Sequence, residues 1–80
     1  MAAKAFVLIE TAVGRSKEVV DAIKSLKGVK TVDTVTGPYD VIAYVEAESI
    51  NVLGDFIVSQ IQSIPGVLRT LTNVVIDAET

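Results

Sequence analysis

The sequence contains no cysteine and no histidine. Without cysteine there is no disulfide to stabilise a small core, and no thiolate to act as a nucleophile or as a soft metal ligand. Without histidine the chain also lacks the commonest general base and metal ligand. We therefore expect no catalytic residue, no metal site and no cofactor, and we interpret the chain as a protein that is not an enzyme.

Basic charge is also scarce, because the formal net charge is −3. A protein that binds nucleic acid directly needs a cluster of cations to neutralise phosphates. The seven basic residues are instead dispersed along the chain: Lys4, Arg15, Lys17, Lys24, Lys27, Lys30 and Arg69. This distribution disfavours direct binding to nucleic acid.

Long hydrophobic runs are missing as well. No stretch reaches the roughly 18 uninterrupted apolar residues of a membrane span, and the first residues lack the order of a signal peptide. We therefore expect no membrane association and a cytoplasmic protein. Eighty residues make a single domain, 1–80, yet half of them are hydrophobic. Because so small a domain buries only about 60% of its unfolded surface, we expect the remaining apolar surface to be covered in a homo-oligomer.

Hydrophobic periodicity and turn residues predict six elements. The first helix would have Ser16 as its N-cap, and the second would begin at the N-cap Ser49 and end before Pro65 and Gly66. A stripe of Ile50, Leu53, Ile57, Ile61 and Ile64 would form the buried side of the second helix. The predicted elements are strands at 5–9, 29–36, 41–45 and 67–76, helices at 15–26 and from 49, and a polar tail at 77–80.

The order βαββαβ predicts an α+β, ferredoxin-like fold with an antiparallel four-stranded sheet and two helices on one face. The second strand carries charge and should lie at an edge, whereas the strand at 41–45 should be central. The first and third strands are apolar on both faces, although the helices cover only one. We expect the sheet of a second subunit to cover the other face, in a dimeric assembly resembling an α/β barrel.

The turn at 36–40 carries the most concentrated chemistry. Gly37 and Pro38 predict a tight turn between two strands, and Tyr39 and Asp40 follow it directly. One interpretation is a hairpin with a packed tyrosine and an aspartate that accepts a turn hydrogen bond. The other is a small-molecule site, in which Asp40 pairs with an ammonium and free N–H groups of the turn bind a carboxylate.

Two threonines on one face of the last strand allow the same pair of interpretations. Thr70 and Thr72 could contribute hydroxyl groups to such a site if their strand lies near the turn. Equally, they are β-branched residues that suit an edge strand. The pattern alone leaves both possibilities open.

Two stretches resemble the signatures of a known family. Residues 37–40, Gly-Pro-Tyr-Asp, are similar to the Gly-x-Tyr-Asp motif in the effector domain of the leucine-responsive regulatory protein (Lrp)/AsnC family. Residues 64–72 are similar to its second motif, a Pro-Gly-Val followed by spaced threonines. The effector domain is called RAM, for regulation of amino acid metabolism, and the resemblance covers residues 4–76.

The resemblance implies a sheet-to-sheet dimer, assembled further into a ring of dimers. It also implies that a free amino acid or similar small effector binds between dimers, with Gly37, Tyr39 and Asp40 on the turn side and Thr70 and Thr72 from the last strand. The family's regulators carry a helix-turn-helix domain that this chain is expected to lack. The chain therefore resembles a stand-alone effector domain in transcriptional or metabolic regulation, which could also assemble with a full-length Lrp/AsnC-type regulator.

Three alternatives stay open at the level of sequence. A pure assembly module would form the oligomer without binding an effector. A regulatory domain of the ACT type shares the βαββαβ order, and Gly14 in the first strand-to-helix loop is compatible with it. A dimeric ferredoxin-like enzyme, such as a cofactor-free oxygenase or an isomerase, would need a polar cavity on a sheet face where this sequence places aliphatic residues.

Overall fold

A computed structural model of the chain describes residues 2–76. It confirms the predicted βαββαβ order. The elements are β1 (Ala3–Thr11), α1 (Ser16–Lys24), β2 (Val29–Thr34), β3 (Val41–Ala47), α2 (Ile50–Phe56), a π-helical segment (Ile57–Ile61) and β4 (Val67–Val74). The predicted tail at 77–80 lies outside the described residues.

The strands form one four-stranded antiparallel sheet in the order β2-β3-β1-β4. The central pair is β1 and β3, in which Val7 lies opposite Ala43. The two outer strands are β2 and β4, so the polar second strand is at an edge as predicted. The turn at 36–40 therefore joins an edge strand to a central strand.

The hydrophobic core lies between this sheet and the helical segments. Alternate residues of β1 and β3 point into it and are fully buried, among them Val7, Ile9 and Ala43. Val19 and Ile23 of α1 face these strands, as does Leu53 of α2. The ferredoxin-like arrangement, with both helices covering one sheet face, is confirmed.

The first helix differs from the prediction at both ends. Its N-cap is Arg15, which makes no capping hydrogen bond with its side chain, and Ser16 is the first helical residue. The Ser16 hydroxyl is hydrogen-bonded instead to the Thr11 hydroxyl, 2.9 Å away. The prediction of Ser16 as N-cap was wrong because a tertiary partner at the end of β1 engages that oxygen. The helix also ends at Lys24 rather than at residue 26.

The second helix begins at the predicted N-cap and ends before Pro65 as predicted, but its last part has π-helical geometry. Ser49 is its N-cap, and the Ser49 hydroxyl accepts a hydrogen bond from the Val52 N–H at 3.1 Å. From Ile57 to Ile61 the helix continues with π-helical geometry, and it ends there, before Pro65. The hydroxyls of Ser59 and Ser63 donate to carbonyl groups four residues earlier, at 2.6 and 2.7 Å. Such bonds compete with the helical pattern and bend helices.

The buried stripe of this helix is shorter than expected. Leu53, Ile57 and Ile61 are buried, and Ile64 packs against the core. Ile50 is 59% exposed, so its assignment to the buried stripe was wrong. Ile50 lies at the start of α2, beyond the part of the helix that packs closely on the sheet.

The strands also end earlier than predicted at two places, because β2 stops at Thr34 and β4 at Val74. The sheet face opposite the helices, called here the open face, holds the other alternate residues of β1 and β3. Phe6 and Tyr44 contact each other on it with their rings tilted by 39° and their centroids 4.8 Å apart, and Phe6 is 47% exposed. The single chain therefore buries one face of its central strands, and the predicted cover by a second subunit stays a prediction. Within residues 2–76, no helix has the length and apolarity needed to span a membrane.

Candidate functional site

Three connections meet at one end of the sheet, and hydrogen bonds join them. The Ala12 N–H, after β1, donates to the Gly66 carbonyl, before β4, at 2.8 Å. The Asp40 N–H, in the turn before β3, donates to the Ile9 carbonyl at 2.9 Å. Gly66 has φ of 100°, and a Cβ there would lie 3.2 Å from side-chain atoms of Arg15 and Val19. This close approach fixes the last connection against the first helix.

The turn at 36–40 presents main-chain donors at this end. A hydrogen bond of 2.9 Å from the Val35 N–H to the Asp40 carbonyl closes it. Gly37 has φ of 121°, which disfavours residues with a side chain, and a Cβ there would meet no atom of residues 2–76 within 4 Å. Within residues 2–76, no backbone group accepts from the N–H of Gly37 or Tyr39. Two amide groups of the turn are therefore available to an anionic group.

Asp40 already takes part in the fold. Its Oδ2 accepts a hydrogen bond of 2.8 Å from the Thr11 N–H at the end of β1. This bond corresponds to the structural interpretation of Asp40, although the donor belongs to another strand and not to the turn itself. The other oxygen, Oδ1, has no hydrogen-bond partner in the described part of the chain. The same carboxylate can thus stabilise the end of the sheet and offer one oxygen to a cation.

Tyr39 contacts a residue that sequence patterns did not single out. The guanidinium carbon of Arg69 lies 5.6 Å from the centroid of the Tyr39 ring, within cation–π range. The Arg69 Nε also lies 3.2 Å from Oε1 of Glu10, the residue directly opposite it in the β1–β4 pair. Arg69 therefore connects edge strand β4 with the turn.

Thr70 and Thr72 lie on the helix-facing side of β4, because they are opposite Ile9 and Val7. The Thr70 hydroxyl accepts a hydrogen bond of 2.9 Å from the Gln62 side-chain amide. Thr72 lines a groove of ≈ 350 Å³ between α2 and β4, called here the edge groove. Its lining residues are Ile50, Leu53, Gly54, Ile57, Val58, Gln62, Thr72 and Val74.

Within one chain the five predicted residues fall into two groups. Gly37, Tyr39 and Asp40 are together in the turn, whereas Thr70 and Thr72 lie on the edge strand. Ile9 of β1 lies between the two groups. The Asp40 N–H donates to the Ile9 carbonyl, and Thr70 is the residue opposite Ile9 in the β1–β4 pair. Two strand spacings amount to about 10 Å, which separates the two groups by the width of β1 within one chain.

Sequence reasoning missed the partners that hold these residues in place. The turn is contacted by Thr11, through Asp40, and by Arg69, through Tyr39. Glu10 forms an ion pair with Arg69, and the Gln62 side-chain amide donates a hydrogen bond to the Thr70 hydroxyl. The alternation of side chains along a strand places Arg69 and Thr70 on opposite faces of β4. It does not give the strand register, and the register is what sets Arg69 opposite Glu10.

The described residues contain a further cavity on the other side of the molecule, ≈ 340 Å³ in volume. It lies near the end of α1 and along β2, and is lined by Lys24, Val29, Lys30, Thr31, Val32 and Asp33. No predicted site residue belongs to it. Among residues 2–76, no group of three or more acidic side chains is arranged to hold a metal ion.

The model of the family described as "Lrp/AsnC ligand binding domain" matches residues 4–79 of the sequence. No curated protein gave a match. A crystal structure of the protein TTHA0845 from Thermus thermophilus is 37% identical, has a TM-score of 0.92, and the match covers 98% of each chain.

Two larger regulators share the fold at lower identity. AsnC of E. coli is 23% identical with a TM-score of 0.92, and the match covers 98% of this chain but 53% of AsnC. The transcriptional regulator NMB0573 of Neisseria meningitidis, solved as a complex with L-Met, is 16% identical with a TM-score of 0.87. That match covers 98% of this chain and 52% of the regulator. The chain thus spans about half the length of these two proteins.

Proposed function

Because the chain belongs to the Lrp/AsnC ligand-binding domain family, we propose that it is a regulatory domain that binds a free amino acid and forms an oligomer. In this role it acts in transcriptional or metabolic regulation without catalysing a reaction and without binding DNA itself. The net charge of −3 supports the last point, because a DNA-binding surface would need clustered cations. A regulatory role of this kind would place the protein in the cytoplasm.

The observation that carries the proposal is the turn at 36–40. The free N–H groups of Gly37 and Tyr39 are suited to a carboxylate, and Oδ1 of Asp40 is suited to an ammonium. A free amino acid has both groups on one carbon. Charge-assisted hydrogen bonds of this type are roughly twice as strong as neutral ones. The complex of NMB0573 with L-Met is a case in which a regulator of the same fold binds an amino acid.

The positions of Thr70 and Thr72 support a site shared between subunits. They lie about two strand spacings from the turn of their own chain. Thr72 lines the edge groove, and Thr70 accepts a hydrogen bond from Gln62, another residue of its lining. We propose that the turn of one subunit faces the edge strand of a neighbour, so that residues of two chains complete one cleft. A ring of dimers would supply such neighbours, and a full-length regulator of the same family could take the place of one of them.

The edge groove favours an effector with an uncharged side chain. In the described part of the chain, the groove is lined by no charged residue, and the side-chain amide of Gln62 donates its hydrogen bond to the Thr70 hydroxyl. Burying a charge there would cost free energy with no partner to offset it. Among amino acids we therefore expect the aliphatic ones and methionine to bind better than lysine or aspartate.

A panel of the common L-amino acids, assayed by isothermal titration calorimetry and thermal shift, tests the proposal. We expect saturable binding of at least one apolar amino acid, accompanied by a rise in Tm, because a ligand of the native state stabilises it. The matching D-amino acid is the control for specific recognition of the α-carbon. If intact oligomers bind no member of the panel, effector binding is refuted and the chain is better described as a pure assembly module.

That second candidate is favoured by one observation, the exposed apolar open face. Phe6 and Leu71 are each 47% exposed on it. An assembly module would use this face and leave the turn empty. The amino-acid panel distinguishes the two candidates, because both predict an oligomer but only the first predicts a ligand.

A further inference from the structure

The contact between Arg69 and Tyr39 joins parts of the chain that the sheet does not pair. Arg69 belongs to edge strand β4, and Tyr39 to the turn between β2 and β3. Strand β1 lies between β4 and β3 in the sheet. The Arg69 side chain therefore crosses the end of β1 to place its guanidinium carbon 5.6 Å from the centroid of the Tyr39 ring.

Glu10 forms an ion pair with the Arg69 side chain. It is the residue opposite Arg69 in the β1–β4 pair, and its Oε1 lies 3.2 Å from the Arg69 Nε. The guanidinium therefore forms an ion pair with Glu10 and a cation–π contact with Tyr39. Arginine stacks its planar guanidinium on aromatic faces, whereas the lysine ammonium is a compact point charge, so the two side chains are not equivalent at this position.

Tyr39 is partly buried, and its polar groups have few partners within the described part of the chain. Within residues 2–76 its main-chain N–H has no backbone acceptor, and its hydroxyl makes no hydrogen bond. The preceding Pro38 is exposed, and Gly37 has space around it. The Arg69 guanidinium is a charged group in contact with the face of this partly buried ring.

We propose that Arg69, held by Glu10, is a positioning residue that fixes the Tyr39 ring and thereby sets the affinity of the cleft for its effector. Arg69 also precedes Thr70 and Thr72 on β4, so its contact with Tyr39 links the turn to the strand that carries these threonines. The part of this inference that concerns affinity rests on the proposed function. The part that concerns the ring does not.

Spectroscopy without any ligand tests the ring. The chain has two tyrosines and no tryptophan, so in a Tyr44→Phe protein Tyr39 is the sole source of the tyrosine near-ultraviolet circular dichroism band. We expect Arg69→Ala to remove most of that band and Arg69→Lys to restore only a part of it. Glu10→Gln should weaken the band, because Arg69 then loses its anchor.

The matched control is Arg15→Lys, since Arg15 is the other arginine and its side chain pairs with Glu18 of its own helix. Arg15→Lys should leave the band unchanged. Far-ultraviolet spectra of all variants confirm that the fold is intact, as expected for a position that is 65% exposed. A Tyr39 band that is identical in Arg69→Ala and its parent would overturn the positioning role.

Calorimetry with the amino acid identified by the panel tests the affinity. Loss of an exposed cation–π contact should weaken the affinity of Arg69→Ala by roughly two- to fivefold. The Arg15→Lys protein should bind with the affinity of the wild type. A changed Tyr39 band with unchanged affinity would refute the link to the effector while leaving the contact in place. If the wild type binds no amino acid, the proposed function fails, and the Tyr39 band alone then decides whether Arg69 positions the ring.

Discussion

At the scale of the residue, Asp40 has a structural role that does not depend on a ligand. Its Oδ2 accepts the Thr11 N–H, which otherwise would have no partner at the end of β1. Hydrogen bonds to a charged acceptor stabilise a protein by about 1.5–3 kcal/mol. Asp40 is half-buried, so the lower end of that range applies here. A loss of binding on mutation of Asp40 would therefore not by itself identify a ligand contact.

A pair of substitutions separates the two tasks. Asp40→Asn keeps an oxygen that can accept the Thr11 N–H, so the free energy of unfolding should change by less than about 1 kcal/mol. Asp40→Ala removes the acceptor and should cost about 1–2 kcal/mol. Both remove the negative charge, and both should weaken amino-acid binding by about tenfold or more. Urea denaturation and calorimetry measure the two effects.

The outcomes for this pair are distinct. Unchanged affinity in Asp40→Asn would remove Asp40 from its assigned role as partner of the ammonium group. Equal stability of Asp40→Ala and wild type would mean that the bond to Thr11 contributes little. In either variant we expect the oligomer to persist, because neither change alters the open face.

At the scale of the element, the two helix starts show when a local pattern suffices. Ser49 caps α2 because its hydroxyl reaches the Val52 N–H three residues later, and no other part of the described chain competes for it. Ser16 has the same side chain but is the first residue of α1, and its hydroxyl is bonded to that of Thr11. The capping preference is a local property, and a neighbouring hydroxyl 2.9 Å away overrides it.

Removal of the Ser49 cap is the prediction at this scale. Ser49→Ala leaves the Val52 N–H without its acceptor and should lower the free energy of unfolding by about 1 kcal/mol. Ser49→Asp is the control, because aspartate caps as well as serine and should restore the stability. Urea denaturation midpoints at a constant m-value provide the measurement. A Ser49→Ala protein as stable as wild type would show that α2 is held by packing alone.

At the scale of the whole molecule, residues 2–76 leave large apolar side chains exposed on one sheet face. The aromatic pair Phe6 and Tyr44 lies on this open face, together with Leu8 and Leu71. Contiguous apolar patches of this kind on a monomer mark interaction surfaces. The sheet of a second copy has the same shape and the same apolar content, and this supports the dimer proposed above.

A charge on the open face should disrupt that dimer. Phe6→Glu places a carboxylate where two sheets would meet, and we expect the molar mass measured by light scattering to fall towards that of a single chain. Asn51→Glu adds the same charge at an exposed position of α2, on the helical side, and should leave the mass unchanged. A wild-type protein that is monomeric at high concentration would contradict the whole assembly argument, including the shared cleft.

The sequence by itself determined the order and type of the elements, the cap at Ser49 and the position of the turn at 36–40. Each of these follows from spacing, from glycine and proline, and from side chains that act within a few residues. It also indicated the family, because both motifs are contiguous stretches of chain.

Only the tertiary structure decided which partners the site residues have. The bond from Thr11 to Asp40 and the contact of Arg69 with Tyr39 each join residues about thirty positions apart in the chain. The strand register and the course of the turn create these contacts, and both depend on the packing of the complete sheet rather than on local propensity. For the same reason, the separation of Thr70 and Thr72 from Asp40 became visible only in the folded chain, where β1 lies between them.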